Sequence, residues 1–401
     1  MASEKRVAVQ MDIGQAFKRH TGTFAGIHDY ARQHGHWRLI IDEWADHTLA
    51  AQRSKPAPYD GLIGRISARG ARHARRLGVP VVNVWFNSPA RGLPSVFPDY
   101  ATCGRLRAEH LLARGFRNFG VVYHPPYRAS AAEADAFEAT VRRAGCDDFH
   151  RVIEGALQGP RDRRQDSFRD WRRRLQTFER WLDKLRPPVG LFIYHIDTAR
   201  VIIEMCHHRG WRVPEDVAIV AGSNEETICE RPEPGITSLE LPYERIGFEA
   251  AQLLDRLLAQ RRRPGSPASE APQILLPPVG VVARRSTDFR AVDDPLVRQA
   301  LRHIDENLHR RITLDRLADA LGVSRRTLTK HFREKFGRPV AVEIQRLRIE
   351  RVKRELAAHE QPIKQIARQA GFASLRTLYA AFAREVGCSP HVFRRQSAET
   401  G

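Results

Sequence analysis

The sequence predicts an α/β region over residues 1–285 followed by an all-α domain over residues 295–396. Three observations predict it. Residues 1–285 alternate short apolar runs with amphipathic stretches of helical period, the pattern of βαβ units around a parallel sheet. Beyond residue 294 no strand-like run occurs. And that helical tail repeats itself, so one structural idea is used twice.

The apolar runs of the first region are residues 7–11, 39–41, 61–66, 79–85, 119–123, 189–194 and 217–221. Amphipathic stretches at 22–33, 100–114, 131–144, 168–185, 197–209 and 245–259 lie between them or after them. Residues 98–115 read as a hinge into a second lobe, with a return crossing near 239–242. The Pro/Ser/Gly-rich segment RRRPGSPASEAP (261–272) is a surface loop, and 273–282 reads as one further strand. The polar stretch after it, residues 286–294, is the expected interdomain linker.

The tail opens with a helix over 295–308. Its first repeat is TLDRLADALGVSRRTLTKHFREKFG (313–337) and its second PIKQIARQAGFASLRTLYAAFAREVG (362–387). Leu314, Leu317, Ala318 and Leu321 match Ile363, Ile366, Ala367 and Ala370, one apolar helix face in each copy. Gly322 and Gly371 follow where a helix end needs left-handed backbone. Leu328, Phe332 and Phe336 match Leu378, Phe382 and Val386, the second copy having one more residue in its turn. Helix, glycine turn, helix is how a recognition helix is held at an angle to its support. Ser324 and Ser374 are the expected N-caps of the two recognition helices. Outward on the first lie Arg325, Arg326, Thr329, Lys330 and Arg333, suited to phosphates and guanine edges. One long helix over 340–358 joins the copies and is expected to hold the recognition helices about one DNA turn, near 34 Å, apart.

Composition agrees. The chain of 401 residues carries a formal charge of +19. Residues 290–401 hold 23 Lys and Arg against 13 Asp and Glu, so over half the excess sits in little more than a quarter of the chain. That favours a polyanionic partner. The five cysteines (103, 146, 206, 229, 388) form no CxxC, so neither a disulfide framework nor a structural zinc site is expected, and Cys103 and Cys206 read as small buried apolar residues. The histidines fit no metal-ligand spacing. No phosphate-cradling GxGxxG or GxxxxGK[ST] loop occurs, nor a GxSxG elbow, so no cofactor and no enzymatic activity are expected. No apolar run is long enough for a membrane span, which places the expected protein in the cytoplasm. The basic run RDRRQDSFRDWRRR (161–174) reads as a solvated surface.

The segments LADALGVSRRTLTKHF, LRIERVKRELAAHEQPIKQIARQAGF and FAREVGCSPHVFRR resemble the AraC/XylS family of transcription regulators across residues 294–396. That resemblance implies base reading by Arg326, Thr329 and Lys330 in the first unit and by Arg376 and Tyr379 in the second. Members often carry Arg where this chain has Ala380. In the first region, VFPDYATCGRLRAEHLLARGFRNFGVV (96–122), VPEDVAIVAGSNEE (213–226), GITSLELPYERIGFEAAQLLDRLL (235–258) and LPPVGVVARRSTD (276–288) resemble LacI/GalR-type sensors, which are similar to periplasmic sugar-binding proteins. The resemblance implies a two-lobed, periplasmic-binding-protein-like sensor that closes on a small carbohydrate, xylose-like or related. Candidate ligand contacts follow strand ends: Asp12, Phe17, Lys18 and Arg19, then Arg128, Asp197, Asn224 and Glu225. Relatives often have Asp where this chain has Ser223.

The expected protein is a homodimeric, ligand-responsive transcription regulator. Its partners are double-stranded operator DNA, a small-molecule effector and RNA polymerase, with no membrane. Two other classes stay open at this stage: a sugar-acting enzyme with a DNA-binding appendage, and an architectural DNA binder without sequence preference.

Overall fold

A computed structural model describes residues 4–14, 17–53, 56–154, 168–260, 271–289, 294–310, 312–336, 339–358, 361–386 and 388–399. The chain divides into two compact units, residues 1–289 and 290–401.

In the first unit, β1 (Lys5–Gln10), α1 (Lys18–His34), β2 (Trp37–Ile41), α2 (Ala45–Ala51), β3 (Gly61–Gly64), α3 (Ala68–Leu77), β4 (Val81–Asn83) and β5 (Ser95–Pro98) start one lobe. The chain crosses into the other through α4 (Tyr100–Leu112), β6 (Asn118–Tyr123), α5 (Arg128–Arg143), β7 (Phe149–Ile153) and α6 (Phe168–Leu182). It continues there through β8 (Val189–Ile193), α7 (Ile196–His208), β9 (Val217–Ser223), α8 (Glu226–Glu230) and β10 (Thr237–Glu240). It returns as α9 (Tyr243–Gln260) and β11 (Gln273–Leu276), then crosses a third time to β12 (Gly280–Val282) and a 3₁₀ turn, Arg285–Thr287. The sheets run β11-β5-β4-β3-β1-β2 and β12-β10-β9-β8-β6-β7. The central strands β3 and β8 are buried along their whole length, as strands covered by helices on both faces must be. Helices α1 and α9 pack at backbone contact. A Cβ at Gly247 would lie 1.9 Å from the Thr23 carbonyl oxygen, so only glycine fits there.

The two crossings expected near 98–115 and 239–242 are present. The expectation of one strand over 273–282 is corrected. Two short strands stand there in different sheets, β11 parallel to β5 and β12 antiparallel to β10. Pro277 and Pro278 cause the break, since neither can donate to a ladder. Strand β12 is also the exception to an all-parallel second sheet. The start of the expected linker belongs to the sensor unit: Ser286 and Thr287 are fully buried. The Ser286 hydroxyl donates to the Ile219 carbonyl (2.6 Å) and accepts from the Thr237 N–H (2.8 Å), which is why polar residues can stand inside. Residues 290–293, the first half of the 161–174 run (161–167) and most of the 261–272 loop lie outside the described residues.

His110 on α4 shares a 2.8 Å hydrogen bond with the Thr287 hydroxyl. Burial, aided by the Arg114 charge, pushes its pKa down to about 3. The unfolded histidine titrates near 6.5, so between these values the unfolded chain binds the extra proton. The stability held by neutral His110 is therefore complete above about pH 6.5 and is lost as pH falls below it. From pH 7.5 to 5.5 the loss from this residue is about 1.4 kcal/mol. Urea denaturation of His110→Gln at the two pH values should show a correspondingly shallower fall; equal slopes in both proteins would refute it.

The second unit comprises α10 (Pro295–Glu306), α11 (Leu314–Ala320), α12 (Arg325–His331), α13 (Val340–Ala358), α14 (Ile363–Gln369), α15 (Leu375–Val386) and α16 (Pro390–Glu399). The repeat is visible in its core. Leu317, Ala318, Leu328 and Phe332 are buried like their counterparts Ile366, Ala367, Leu378 and Phe382. Gly322 and Gly371 take φ of 66° and 78°, the left-handed backbone that ends α11 and α14. Asp294 caps α10 through the Leu296 and Val297 N–H groups, and its second oxygen accepts from His331 at 2.7 Å. Among the described residues no helix is long and apolar enough to cross a membrane.

Candidate functional site

In the second unit the two helix-turn-helix pairs are α11–α12 and α14–α15. The turn between α14 and α15 is one residue longer than that between α11 and α12. Ser324 Oγ accepts from the Thr327 N–H (3.0 Å) and Ser374 Oγ from the Thr377 N–H (3.1 Å), so both predicted N-caps are made. On α12, Arg325, Arg326, Thr329 and Lys330 are exposed. Arg325 rests 3.4 Å from the Asp315 carboxylate, and the Thr329 hydroxyl donates back to the Arg325 carbonyl. Arg333 is also exposed but lies beyond α12, in a π-helical turn over Phe332–Phe336. On α15, Arg376 and Ala380 are exposed, whereas Tyr379 is half-buried against the core and faces the His391 ring at 6.1 Å. Helix α12 therefore presents a denser set of exposed donor side chains than α15.

In the first unit, the carboxyl ends of β1, β3 and β4 in one lobe and of β6, β8 and β9 in the other lead into the loops that carry the candidates, where open α/β sheets bind ligands. Polar contacts join the lobes. Lys18 Nζ pairs with Glu226 (2.5 Å) and Glu240 (3.0 Å), and its backbone N–H points to Glu225 Oε2 at 3.4 Å. From the second lobe, Arg128 donates to the Phe86 carbonyl (2.6 Å) and stacks on the Phe86 ring, while Asn87 Oδ1 accepts the Ala129 N–H at the start of α5.

The individual candidates differ. Phe17 precedes α1, and the Arg19 guanidinium lies 4.4 Å over its ring. The Arg19 charge reaches Glu225 and Tyr194 in the other lobe and Tyr243 at the start of α9. The Asp12 carbonyl accepts from His20 Nδ1 at 2.6 Å. Glu225 is half-buried, and burial raises its pKa against the pull of the Lys18 N–H and Arg19. Asp197 is exposed in the first turn of α7. Asn224 is turned into the scaffold: its amide donates to Glu240 (2.5 Å) and Glu226 (3.3 Å), and its carbonyl accepts from Ser238 (3.1 Å) and Arg284 (2.8 Å). Every polar position of that side chain is used, so its part in this conformation is to hold Glu240 for Lys18.

Further residues that the sequence pattern does not single out stand at the site. Arg65 follows β3 and lies 4.8 Å over the Trp85 ring, which with Phe86 follows β4. Tyr194 and Tyr243 are half-buried phenols whose pKa values burial drives upward, so they stay donors; the Ser223 side chain bonds to Tyr243. In the second lobe Glu154 is buried, accepting from His195 Nδ1 (2.6 Å) and the Thr198 hydroxyl. Behind the cleft, Arg107 is 1 % exposed and bonds to Glu133, to the Ala221 carbonyl (3.2 Å) and to the Gly222 carbonyl (3.1 Å). It thereby fixes the end of β9 from which Ser223 to Glu225 project. The rule that ligands gather at the carboxyl ends of parallel strands would have found Arg65 and Trp85.

Comparison with known proteins fits both halves. Residues 108–287 match the periplasmic binding protein-like domain and residues 317–396 a helix-turn-helix domain. The chain is 26% identical over 404 residues to the xylose operon regulatory protein of Escherichia coli K12, covering 98% of each chain. It is 32% identical over 225 residues to that of Haemophilus influenzae, covering 56% of this chain and 57% of the relative. Among solved structures, the xylose-binding transcription activator xylR aligns with a TM-score of 0.68 at 23% identity over 98% of both chains. A LacI family regulator from Enterococcus faecium with bound ribose aligns at 0.51 with 20% identity, covering 70% of this chain and 98% of that one.

Proposed function

Because this chain is a transcription regulator of the AraC/XylS family with a LacI/GalR-type, periplasmic-binding-protein-like sensor domain, we propose that it controls transcription in response to a carbohydrate bound between the sensor lobes. Its relatives are regulators, not enzymes. The observation that carries the proposal is the cleft itself. Phe17, Trp85 and Phe86 stand there, each with a guanidinium over its ring, and Arg19, Tyr194, Tyr243 and Glu225 bring the donors and the acceptor that hydroxyl groups need. A ligand that prefers the closed lobes shifts the sensor toward the state in which Lys18 meets Glu226 and Glu240. The protein acts in the cytoplasm as a homodimer, since operators repeat their half-sites and isologous pairing matches that repeat. Near a promoter it contacts RNA polymerase.

Reading of bases falls to Arg326, Thr329 and Lys330 on α12 and to Arg376 and Tyr379 on α15, with Arg325 and Arg333 on phosphates. Selection of bound sequences from a random DNA pool by the purified full-length protein tests this. The expected product is an enriched site with two elements about 10–10.5 base pairs apart. Retention that tracks salt with no enrichment would assign the architectural alternative instead.

Glu225→Gln should remove the response to the effector while DNA binding in its absence stays within about twofold of wild type, because the change lies in the sensor unit alone. Fluorescence anisotropy on the selected site, with and without effector, reads both quantities. A full effector response in the variant would move the binding site away from Glu225.

A further inference from the structure

We infer that Asn224 and Arg284 form a polar relay that carries closure of the sensor lobes to the segment leading out of the sensor unit. The inference rests on the carbohydrate-sensor reading above and gives its signal a path.

The relay starts at the latch between the lobes. Lys18 opens α1 in the first lobe, and its Nζ meets Glu226 (2.5 Å) and both oxygens of Glu240 (3.1 and 3.0 Å) in the second. Behind those carboxylates stands the Asn224 amide, on a residue 5 % exposed. Its Nδ2 donates to Glu240 (2.5 Å) and Glu226 (3.3 Å), the same two groups that Lys18 holds. Its Oδ1 accepts from Arg284 Nη2 at 2.8 Å and from the Ser238 hydroxyl at 3.1 Å. Arg284 Nη1 donates to that hydroxyl in turn, at 2.9 Å. An amide is planar and rigid by resonance. A shift of the carboxylates at its nitrogen end therefore moves the acceptor that Arg284 holds at its oxygen end.

Arg284 stands at the exit. It follows β12, and its backbone is clamped: its N–H donates to the Thr237 hydroxyl (2.8 Å), which donates to its carbonyl (3.0 Å). The 3₁₀ turn Arg285–Thr287 starts at the next residue, and the second unit begins at residue 290. The side chain of Arg284 thus answers to the latch, and its backbone leads toward the DNA unit.

Electrostatics gives the relay two states. Glu226 and Glu240 share one ammonium and one amide nitrogen, so their charges lie side by side. When the lobes part, Lys18 is withdrawn, and the two carboxylates repel each other unless another cation moves in. The Arg284 charge already reaches Glu226, and its guanidinium stands 3.7 Å from Glu230. Closed lobes leave Arg284 on Asn224 and Ser238; open lobes draw it toward the carboxylates, off the amide. Glu225 lies between Asn224 and Glu226 in the chain and faces the Lys18 N–H at 3.4 Å, so an effector held by Glu225 acts on the same cluster.

A double-mutant cycle in the full-length protein tests the relay, read as the dissociation constant for the selected DNA site by fluorescence anisotropy with no sugar present. Lys18→Met keeps the alkyl stem and removes the ammonium. It should change DNA affinity at least about threefold in the wild-type background. In Arg284→Lys, which keeps the charge but loses the fork that holds Asn224 and Ser238 together, the same change should have no effect. Asn224→Asp keeps the volume and the acceptor for Arg284 but loses the donors to Glu226 and Glu240. It should silence Lys18→Met in the same way, and it decides the matter where Arg284→Lys fails to fold. An equal effect of Lys18→Met in every background would overturn the relay, as would no effect in wild type. If the cycle is additive while D-xylose or D-ribose still shifts the DNA affinity of wild type, the relay falls and the carbohydrate-sensor reading stands. A coupled cycle with no shift by either sugar would keep the relay and count against that reading.

Discussion

Glu133→Ala is expected to destabilise the sensor unit by about 3–5 kcal/mol, the penalty for leaving a buried guanidinium without its counter-charge. Arg107 and Glu133 are both almost wholly enclosed, at 1 % and 2 % exposure. Burial raises the Glu133 pKa to about 7 even beside Arg107, so the site is costly in either protonation state. The remaining Arg107 bonds, to the Ala221 and Gly222 carbonyls, are too few for its five donors. Urea denaturation followed by tryptophan fluorescence reads the loss directly. Glu133→Gln keeps an acceptor and should lose less than the alanine variant. A cost below about 1 kcal/mol for Glu133→Ala would mean that the pair is not what orders the end of β9.

Arg326→Ala should weaken binding to the selected DNA site by about 1–3 kcal/mol, roughly 5- to 150-fold, and relax preference at one base position. Its side chain is exposed in the first turn of α12, behind the Ser324 cap that fixes where that helix begins. Competition titration with every single-base variant of the site measures both effects. An equal loss on random DNA would show that Arg326 meets only phosphate. The matching change on α15, Arg376→Ala, is expected to cost less, because Tyr379 is drawn toward the core and Ala380 supplies no donor.

Much of the helical unit could be read from the sequence because its signals are local and doubled. The buried pairs Leu328 with Leu378 and Phe332 with Phe382 repeat at constant offset, and each Gly-turn and Ser-cap has its own residue signature. In the sensor the residues themselves show alternation and two crossings, and its kind is legible only through the resemblance of four segments. Strands β5 and β10 escaped notice for a physical reason. Each is four residues long, and β10 begins with Thr237 and Ser238, polar side chains fully buried because their hydroxyls are bonded inside. The cleft was half legible. Arg19 and Glu225 could be named from their places after strands, but Asn224 is spent on the scaffold. The meeting of Arg19 with Arg65 over His20, and of Trp85 with Arg65, joins residues far apart in the chain that no periodicity connects.

Regulation by a carbohydrate requires coupling between the cleft and the DNA unit. The most direct measurement is the dissociation constant for the selected DNA site, at fixed salt, with and without a saturating carbohydrate effector, in wild type and in Glu225→Gln. The predicted result is a shift of about 5- to 150-fold in wild type, the usual range for coupled sites, and none in the variant. One and the same dissociation constant in wild type with the effector bound and absent would contradict it, since a ligand that does not distinguish the two sensor states cannot regulate anything through them.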